Sequence, residues 1–198
     1  MGRPGTRVKQ SAVAQGAAGR LHWPAVFAGL LASALVFPVL LLVFLIGSGE
    51  VPTAAAQVEG MLVVLGISVL VTFLHALLLG LPAFLLLRRF GWLSARTLSV
   101  AGFVAGALLV GMAGWPWRGG APGSSYSTSW HGRFVEMQRD GVPTLYGWLS
   151  WLESVAVFGL VGIASALAFW YGWRYFQRQA DARRQRGFLP RQPGHPAQ

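Results

Sequence analysis

The sequence predicts an all-α membrane protein: a bundle of four transmembrane helices, both termini in the cytoplasm, and one structured outer loop between helices 3 and 4. Apolar residues make up 54% of its 198 residues, and the mean hydropathy is +0.52. These residues lie in blocks of about 20, enough helix to cross a hydrocarbon core of about 30 Å. Thirteen of the sixteen Lys and Arg residues fall in the tails and the second connector, which the positive-inside rule places in the cytoplasm.

The first predicted span, about residues 24–46, begins with Pro24, which suits a first helical turn because its missing N–H is not needed there. Pro38 lies inside the span, so we expect a local kink and a neighbouring group bonded to the freed carbonyl. The apolar run exceeds the roughly 7–15 residues of a signal peptide, which favours a retained helix over a cleaved leader.

The second and third spans flank a short basic connector. The second covers about residues 61–87, and Gly80-Leu81-Pro82 predicts a bend near its inner end. Ser94 is the predicted N-cap of the third span, about residues 95–114, because its hydroxyl can accept a hydrogen bond from a free backbone N–H.

The outer loop, residues 115–143, is rich in aromatic and polar residues. His131-Gly132 within a β-prone run predicts a short hairpin, and Asp140-Gly141 predicts a turn. Thr144 is the expected N-cap of the fourth helix. These assignments give a disordered basic tail (1–22), a transmembrane domain (23–176, with its last span at about 145–175) and a basic, Pro/Gln-rich cytoplasmic tail (177–198).

His75 is the only ionisable residue deep inside a predicted span, which makes it a candidate for function. A proton relay needs a charged partner, and a bis-histidine haem needs a second histidine at membrane depth. The other predicted spans supply neither in their middle. A neutral histidine hydrogen-bonded to a neighbouring helix is therefore favoured over a ligand or proton role.

Glu153 lies about two turns into the fourth span, near the outer surface. We expect either an ion pair with an arginine of the outer loop or a carboxylate that snorkels to the interface, and a cation-binding carboxylate is the alternative. The candidate partners are Arg118, Arg133 and Arg139.

The outer loop also groups His131, Glu136 and Asp140 within ten residues. Their spacing matches no zinc motif, and the chain contains no cysteine to act as nucleophile or thiolate ligand. We therefore predict no catalytic, cofactor or metal site, and expect the aromatic residues to fold the loop onto the membrane surface or to dock another protein.

Small residues at intervals of four predict close helix packing. Gly102 and Gly106 form a GxxxG pattern in the third span, and Gly162 lies in the fourth. Such faces let helix backbones approach closely in lipid, where van der Waals packing replaces the hydrophobic effect. We expect most of them to join the four helices, and a surplus to mediate homo-oligomerisation.

Two segments resemble small, uncharacterised four-helix inner-membrane proteins of proteobacteria. One is Leu74-His75-Ala76-Leu77-Leu78-Leu79-Gly80-Leu81-Pro82-Ala83-Phe84-Leu85-Leu86-Leu87-Arg88-Arg89, and the other is Asp140-Gly141-Val142-Pro143-Thr144-Leu145-Tyr146-Gly147-Trp148. The likeness covers about 30 residues. It implies a bacterial inner-membrane location and a four-span fold, and no activity.

Composition and pattern therefore favour a non-enzymatic membrane protein: an accessory, assembly or interaction subunit. A small oligomeric transporter or channel component is the second hypothesis, and a membrane enzyme with an outer-interface site is the third. The net charge of +10 does not indicate nucleic-acid binding, because the basic residues flank the apolar blocks. Expected partners are anionic lipid at the cytoplasmic face, a membrane-protein partner or a second copy.

Overall fold

The computed structural model describes residues 21–49, 54–116 and 121–187. Most of the predicted N-terminal tail and half of the predicted C-terminal tail (residues 188–198) lie outside these residues. The elements in chain order are α1 (Trp23–Gly47), α2 (Ala55–His75), a π-helical segment (Ala76–Gly80), α3 (Leu81–Arg89), α4 (Ala95–Ala113), β1 (Tyr126–Trp130), β2 (Arg133–Arg139), β3 (Val142–Pro143) and α5 (Leu145–Gly187).

Four helices in the described part of the chain are long and apolar enough to cross a membrane, as predicted. The last is longer than expected: we predict its end near residue 175, but α5 continues to Gly187. Gln, Arg and Ala dominate this extension and favour helix, so the helix persists past the apolar stretch. The four candidate spans are Trp23–Gly47, Gln57–Arg89, Ala95–Ala113 and Leu145–Arg183.

The helices form an incompletely closed bundle. Its two ends are called the sheet end, which carries the β-strands, and the arginine end, which carries Arg88, Arg89, Arg96 and Arg174. Helix α5 packs extensively against α4 and α1, and α2 packs against α1. Helices α2 and α4 have no comparable contact, so a gap remains between them. Ring contacts of Phe84 close the arginine end.

Glycines set the close approach of α4 and α5. A Cβ atom at Gly102 or Gly162 would meet the carbonyl oxygen of the other residue, and one at Gly106 would meet the carbonyl oxygen of Phe158. The GxxxG pair of α4 therefore faces the backbone of α5 and, at Gly102, also the Cβ of Ala166, so these positions lie in the interface between α4 and α5.

Pro38 lies inside α1 and cannot donate to the carbonyl of Ala34, four residues earlier. The hydroxyl of Thr72 on α2 is 2.9 Å from that carbonyl oxygen and 2.5 Å from the carbonyl oxygen of Ser68, and its single proton can bond one of the two at a time. A neighbouring helix thus places a donor beside the freed carbonyl, as expected, while the kink itself stays a prediction.

This arrangement predicts a coupling between Thr72 and Pro38. Thr72→Val removes the hydroxyl with little change in shape, and we expect it to lower the free energy of unfolding by about 0.5–1.5 kcal/mol. In a Pro38→Ala background the N–H of residue 38 can bond Ala34, so the same change should cost much less. Unfolding by SDS titration in mixed micelles measures both, and an equal cost in the two backgrounds contradicts the assignment.

The helix contains a π turn just before Leu81, where the sequence predicts a bend, and the bend itself stays a prediction. The N–H of Leu81 donates to the carbonyl of Ala76, five residues earlier, and the helix then resumes with Pro82 in its first turn. The wider turn admits the proline ring without ending the helix. Pro82 is exposed on the bundle surface.

The strands form one antiparallel sheet in the order β1-β2-β3. His131 and Gly132 join β1 to β2, and Asp140 and Gly141 join β2 to β3; all four residues have positive φ. Positive φ at both central residues is typical of type I′ turns, which match the twist of two-residue hairpins. The predicted hairpin and turn are confirmed.

Candidate functional site

The sheet is fixed to the first turn of α5 by Thr144. Its side-chain oxygen accepts a hydrogen bond from the N–H of Gly147 (3.3 Å), as expected of an N-cap, and its hydroxyl donates to the carbonyl of Glu136. Its backbone N–H donates to the carbonyl of Met137 at 3.0 Å. A Cβ at Gly147 would meet the same Met137 carbonyl oxygen, so strand and helix are in backbone contact.

The tip of the hairpin contacts the side chain of Glu153. One oxygen of its carboxylate, Oε2, accepts a hydrogen bond from Trp130 Nε1 (2.8 Å) and lies 3.1 Å from His131 Nε2. The structure thus brings together two predicted site residues, Glu153 and His131. The carboxylate is 43% exposed, so this group is open to water.

The predicted pairing of Glu153 with an arginine is wrong for Arg139, which bonds Glu136 instead. Arg133 makes no hydrogen bond or ion pair within the described residues, and Arg118 lies outside them. The indole N–H of Trp130 occupies the position that we assigned to a guanidinium. A tryptophan at a hairpin tip is an unusual carboxylate partner, and only its place beside His131 in the sequence signals it.

Three tryptophans cluster at the sheet end of α4 and α5. The rings of Trp115, Trp148 and Trp151 meet edge to face, with centroids 5.1–5.7 Å apart. The indole N–H of Trp151 donates to the carbonyl of Gly111 at 3.1 Å. Because this polar bond crosses from α5 to α4, the cluster joins the two helices beneath the sheet.

The two faces of the sheet differ in composition. Met137 is buried at a register shift in β2, opposite Tyr126 and Ser127. Phe134 and Glu136 are two positions apart and therefore share one face of the strand. The register pairs Phe134 with Ser129 and Glu136 with Ser127. Phe134 is 80% exposed, so the solvent face presents one large aromatic side chain among polar ones.

Glu136 and Arg139 form an ion pair on β2. The hydrogen bond from Arg139 lowers the pKa of Glu136 below its ordinary value, and the positive charge of Arg139 acts in the same direction. Glu136 therefore belongs to an ion pair within its own strand, and the structure does not join it to His131 and Glu153.

Removing the guanidinium should reverse the shift in the Glu136 pKa. We expect Arg139→Gln to raise that pKa towards its ordinary value, with Arg133→Gln as the control that leaves it unchanged. Because the folded-state pKa is the lower one, the pair stabilises the sheet above the unfolded-state pKa of Glu136. That contribution is lost as the pH falls through the folded-state value. An NMR titration of the side-chain carboxyl carbon measures both variants, and an unchanged pKa in Arg139→Gln would exclude this cause.

A second candidate region lies at mid-depth of the bundle. A cavity of about 390 Å³ occupies the gap between α2 and α4, with α1 and α5 behind it. His75 lines it together with apolar and small residues, and its ring makes no hydrogen bond to any residue the structure describes. The polar side chains in the lining are Ser33, Ser68, Thr72, His75 and Ser165.

The favoured interpretation of His75, a histidine hydrogen-bonded to a neighbouring helix, is therefore not what the described residues show. His75 lines an open space because α2 packs on α1 and makes no comparable contact with α4. Sequence periodicity places His75 at membrane depth but does not reveal a gap between helices, which depends on how the helices cross.

Comparisons of this chain with known protein families, with curated proteins and with solved structures find no match. The resemblance to four-helix inner-membrane proteins of proteobacteria thus stays a prediction.

Proposed function

We propose that this chain is a non-enzymatic multi-pass protein of the bacterial inner membrane, acting as an accessory, assembly or interaction subunit. In this proposal the arginine end and both termini are cytoplasmic and the sheet end is outside. The distribution of arginines supports that orientation. Each arginine near an anionic cytoplasmic surface would add on the order of 1 kcal/mol of attraction.

The observation that carries the proposal is the exposed face of the sheet. Phe134 projects from a strand that is bonded to α5 through Thr144, so the aromatic side chain is presented on a fixed support. A large aromatic residue with a polar surround is typical of the centre of a protein interface. We therefore assign this face to a second membrane protein with an outer domain.

Purification from native membranes in a mild detergent tests this assignment. We expect a stoichiometric second protein with the wild-type chain, and its loss in Phe134→Ser. The matched control is Phe90→Ser, the same substitution at another exposed phenylalanine, near the arginine end. Retention of the partner in Phe134→Ser, or its loss in both variants, contradicts the assignment.

A small oligomeric transporter or channel component is the second candidate, favoured by the partly polar cavity at membrane depth. A homo-oligomer without a second protein in the same purification would support it. His75→Ala would then distinguish a packing role from a transport role. If His75 only packs, the substitution changes the stability of the protein and leaves the transport flux per folded molecule unchanged.

An enzyme at the sheet end is the third candidate, and the contact between His131 and Glu153 favours it. The support for this candidate is weaker than the sequence suggests, because Glu136 is hydrogen-bonded to Arg139 and does not join His131 and Glu153. Replacing His131, Glu136 and Glu153 together without loss of any phenotype would eliminate it.

A further inference from the structure

The length and lining of the cavity between α2 and α4 indicate its occupant. Its lining on α4 runs from Leu98 to Val110, about 18 Å at 1.5 Å per residue. Most of the lining side chains are apolar or small. An elongated apolar space of this length suits an extended hydrocarbon chain.

Ser33 supplies a polar group that the fold leaves unpaired. It is only 7% exposed, lines the cavity, and its hydroxyl makes no hydrogen bond within the part of the chain that the structure describes. Three other serines in the helices donate to the carbonyl four residues earlier: Ser68, Ser99 and Ser154. Ser165 on α5 also lines the cavity and, like Ser33, makes no side-chain hydrogen bond within the described residues.

His75 and Ser33 line the same cavity from neighbouring helices. Thr72, one turn before His75 on α2, contacts the carbonyl of Ala34, which follows Ser33 on α1. The two helices therefore meet at this level, and both unpaired side chains line the same space. An unsatisfied polar group in a hydrocarbon environment costs several kcal/mol, which a bound hydrogen-bonding group would offset.

We propose that this cavity binds a single-chain lipid that carries one neutral hydroxyl or carbonyl group. The chain lies along the small residues of α4, and the polar group bonds Ser33 and His75. The lining contains no Lys or Arg, which argues for a neutral ligand over an anionic one. A volume of about 390 Å³ falls within the range of ligand sites, about 300–1,000 Å³. This inference does not depend on the proposed docking role of the sheet.

Photolabelling of the purified full chain tests the site directly. The probe is a hexadecanol with a diazirine and an alkyne, and mass spectrometry locates the adducts. We expect adducts concentrated on the cavity-lining faces of α2 and α4. Adducts spread evenly over the outer surfaces of all four helices would overturn the proposal, and this result needs no variant.

Two matched substitutions on α4 test whether the labelling depends on the cavity. Ala105→Phe fills the cavity, whereas Ala107→Phe places the same ring outside it, next to Gly111 and Trp115 on another surface of α4. We expect labelling to fall at least tenfold in the first and to persist in the second. Equal labelling would overturn the proposal. If Ala105→Phe elutes as an aggregate, Ala101→Leu fills the same cavity from one turn away.

A further substitution tests the hydrogen bond between Ser33 and the polar group of the ligand. Ser33→Ala should weaken binding of the probe about 2- to 10-fold, the effect of one hydrogen bond. Unlabelled hexadecanol and a short-chain quinone are compared as competitors. Displacement by hexadecanol indicates a straight-chain lipid, stronger displacement by the quinone indicates a quinone carbonyl as the bound group, and displacement by neither overturns the site.

Discussion

A Gly162→Leu chain is expected to lose about 3 kcal/mol of its free energy of unfolding, the largest loss among the substitutions considered. A Cβ at Gly162 would meet the carbonyl oxygen of Gly102 and would lie 3.3 Å from the Cα of Gly106. Backbone atoms cannot rotate away as a flexible side chain does, so the two helices must separate. In lipid that separation forfeits the van der Waals contacts that replace the hydrophobic effect between helices.

Gly66→Leu is the matched control. It makes the same change at an exposed position of α2, where a Cβ would meet nothing within 4 Å. We expect its stability to equal that of the wild type or to rise by up to about 1 kcal/mol, because leucine favours helix over glycine. Unfolding by SDS titration, followed by tryptophan fluorescence, compares the three proteins. Equal stability of Gly162→Leu and wild type would show that α4 and α5 are not packed through these glycines.

Gly147→Leu is expected to release the sheet from α5 while leaving the four-helix bundle intact. The new side chain would collide with the carbonyl of Met137, which also accepts the backbone N–H of Thr144. At a cost of about 2–3 kcal/mol for overpacking, amide exchange in β2 should accelerate about 30- to 150-fold.

Hydrogen–deuterium exchange with mass spectrometry measures this effect on peptides of β2 and, as an internal reference, of α4. Gly60→Leu is the control, because a Cβ at Gly60 would meet nothing within 4 Å. Unchanged protection of β2 in Gly147→Leu would contradict the anchoring role of this contact. Under the proposed function, Gly147→Leu should also lose the partner protein, although Phe134 itself is unchanged.

Local signals in the sequence were sufficient for much of the fold. Ser94 accepts a hydrogen bond from the N–H of Thr97 as expected of an N-cap, and Thr144 does the same for α5. The two glycine-containing turns form where the dipeptides indicate them. Each of these features depends on residues within four positions of one another, so one sequence suffices to predict it.

The contacts of the candidate sites depend on distant residues and were harder to predict. Glu153 contacts Trp130, 23 positions earlier in the chain. Charge complementarity predicted an arginine partner instead. The cavity beside His75 exists because α2 packs on α1 and leaves a gap towards α4, a property of helix crossing that hydropathy does not encode. The compensation of Pro38 was predictable as a requirement, but its donor, Thr72, was not.

Helix α5 is continuous for 43 residues, about 64 Å at 1.5 Å per residue. A bilayer with its headgroups is about 40–45 Å thick, so this single rod reaches beyond it by about 20 Å. The same rod carries the sheet at one end and the arginine-rich extension at the other. A partner that tilted the sheet end by about 10° would swing the opposite tip by about 11 Å over that length. Under the proposed function, this helix would convert a tilt imposed on one side of the membrane into a displacement on the other.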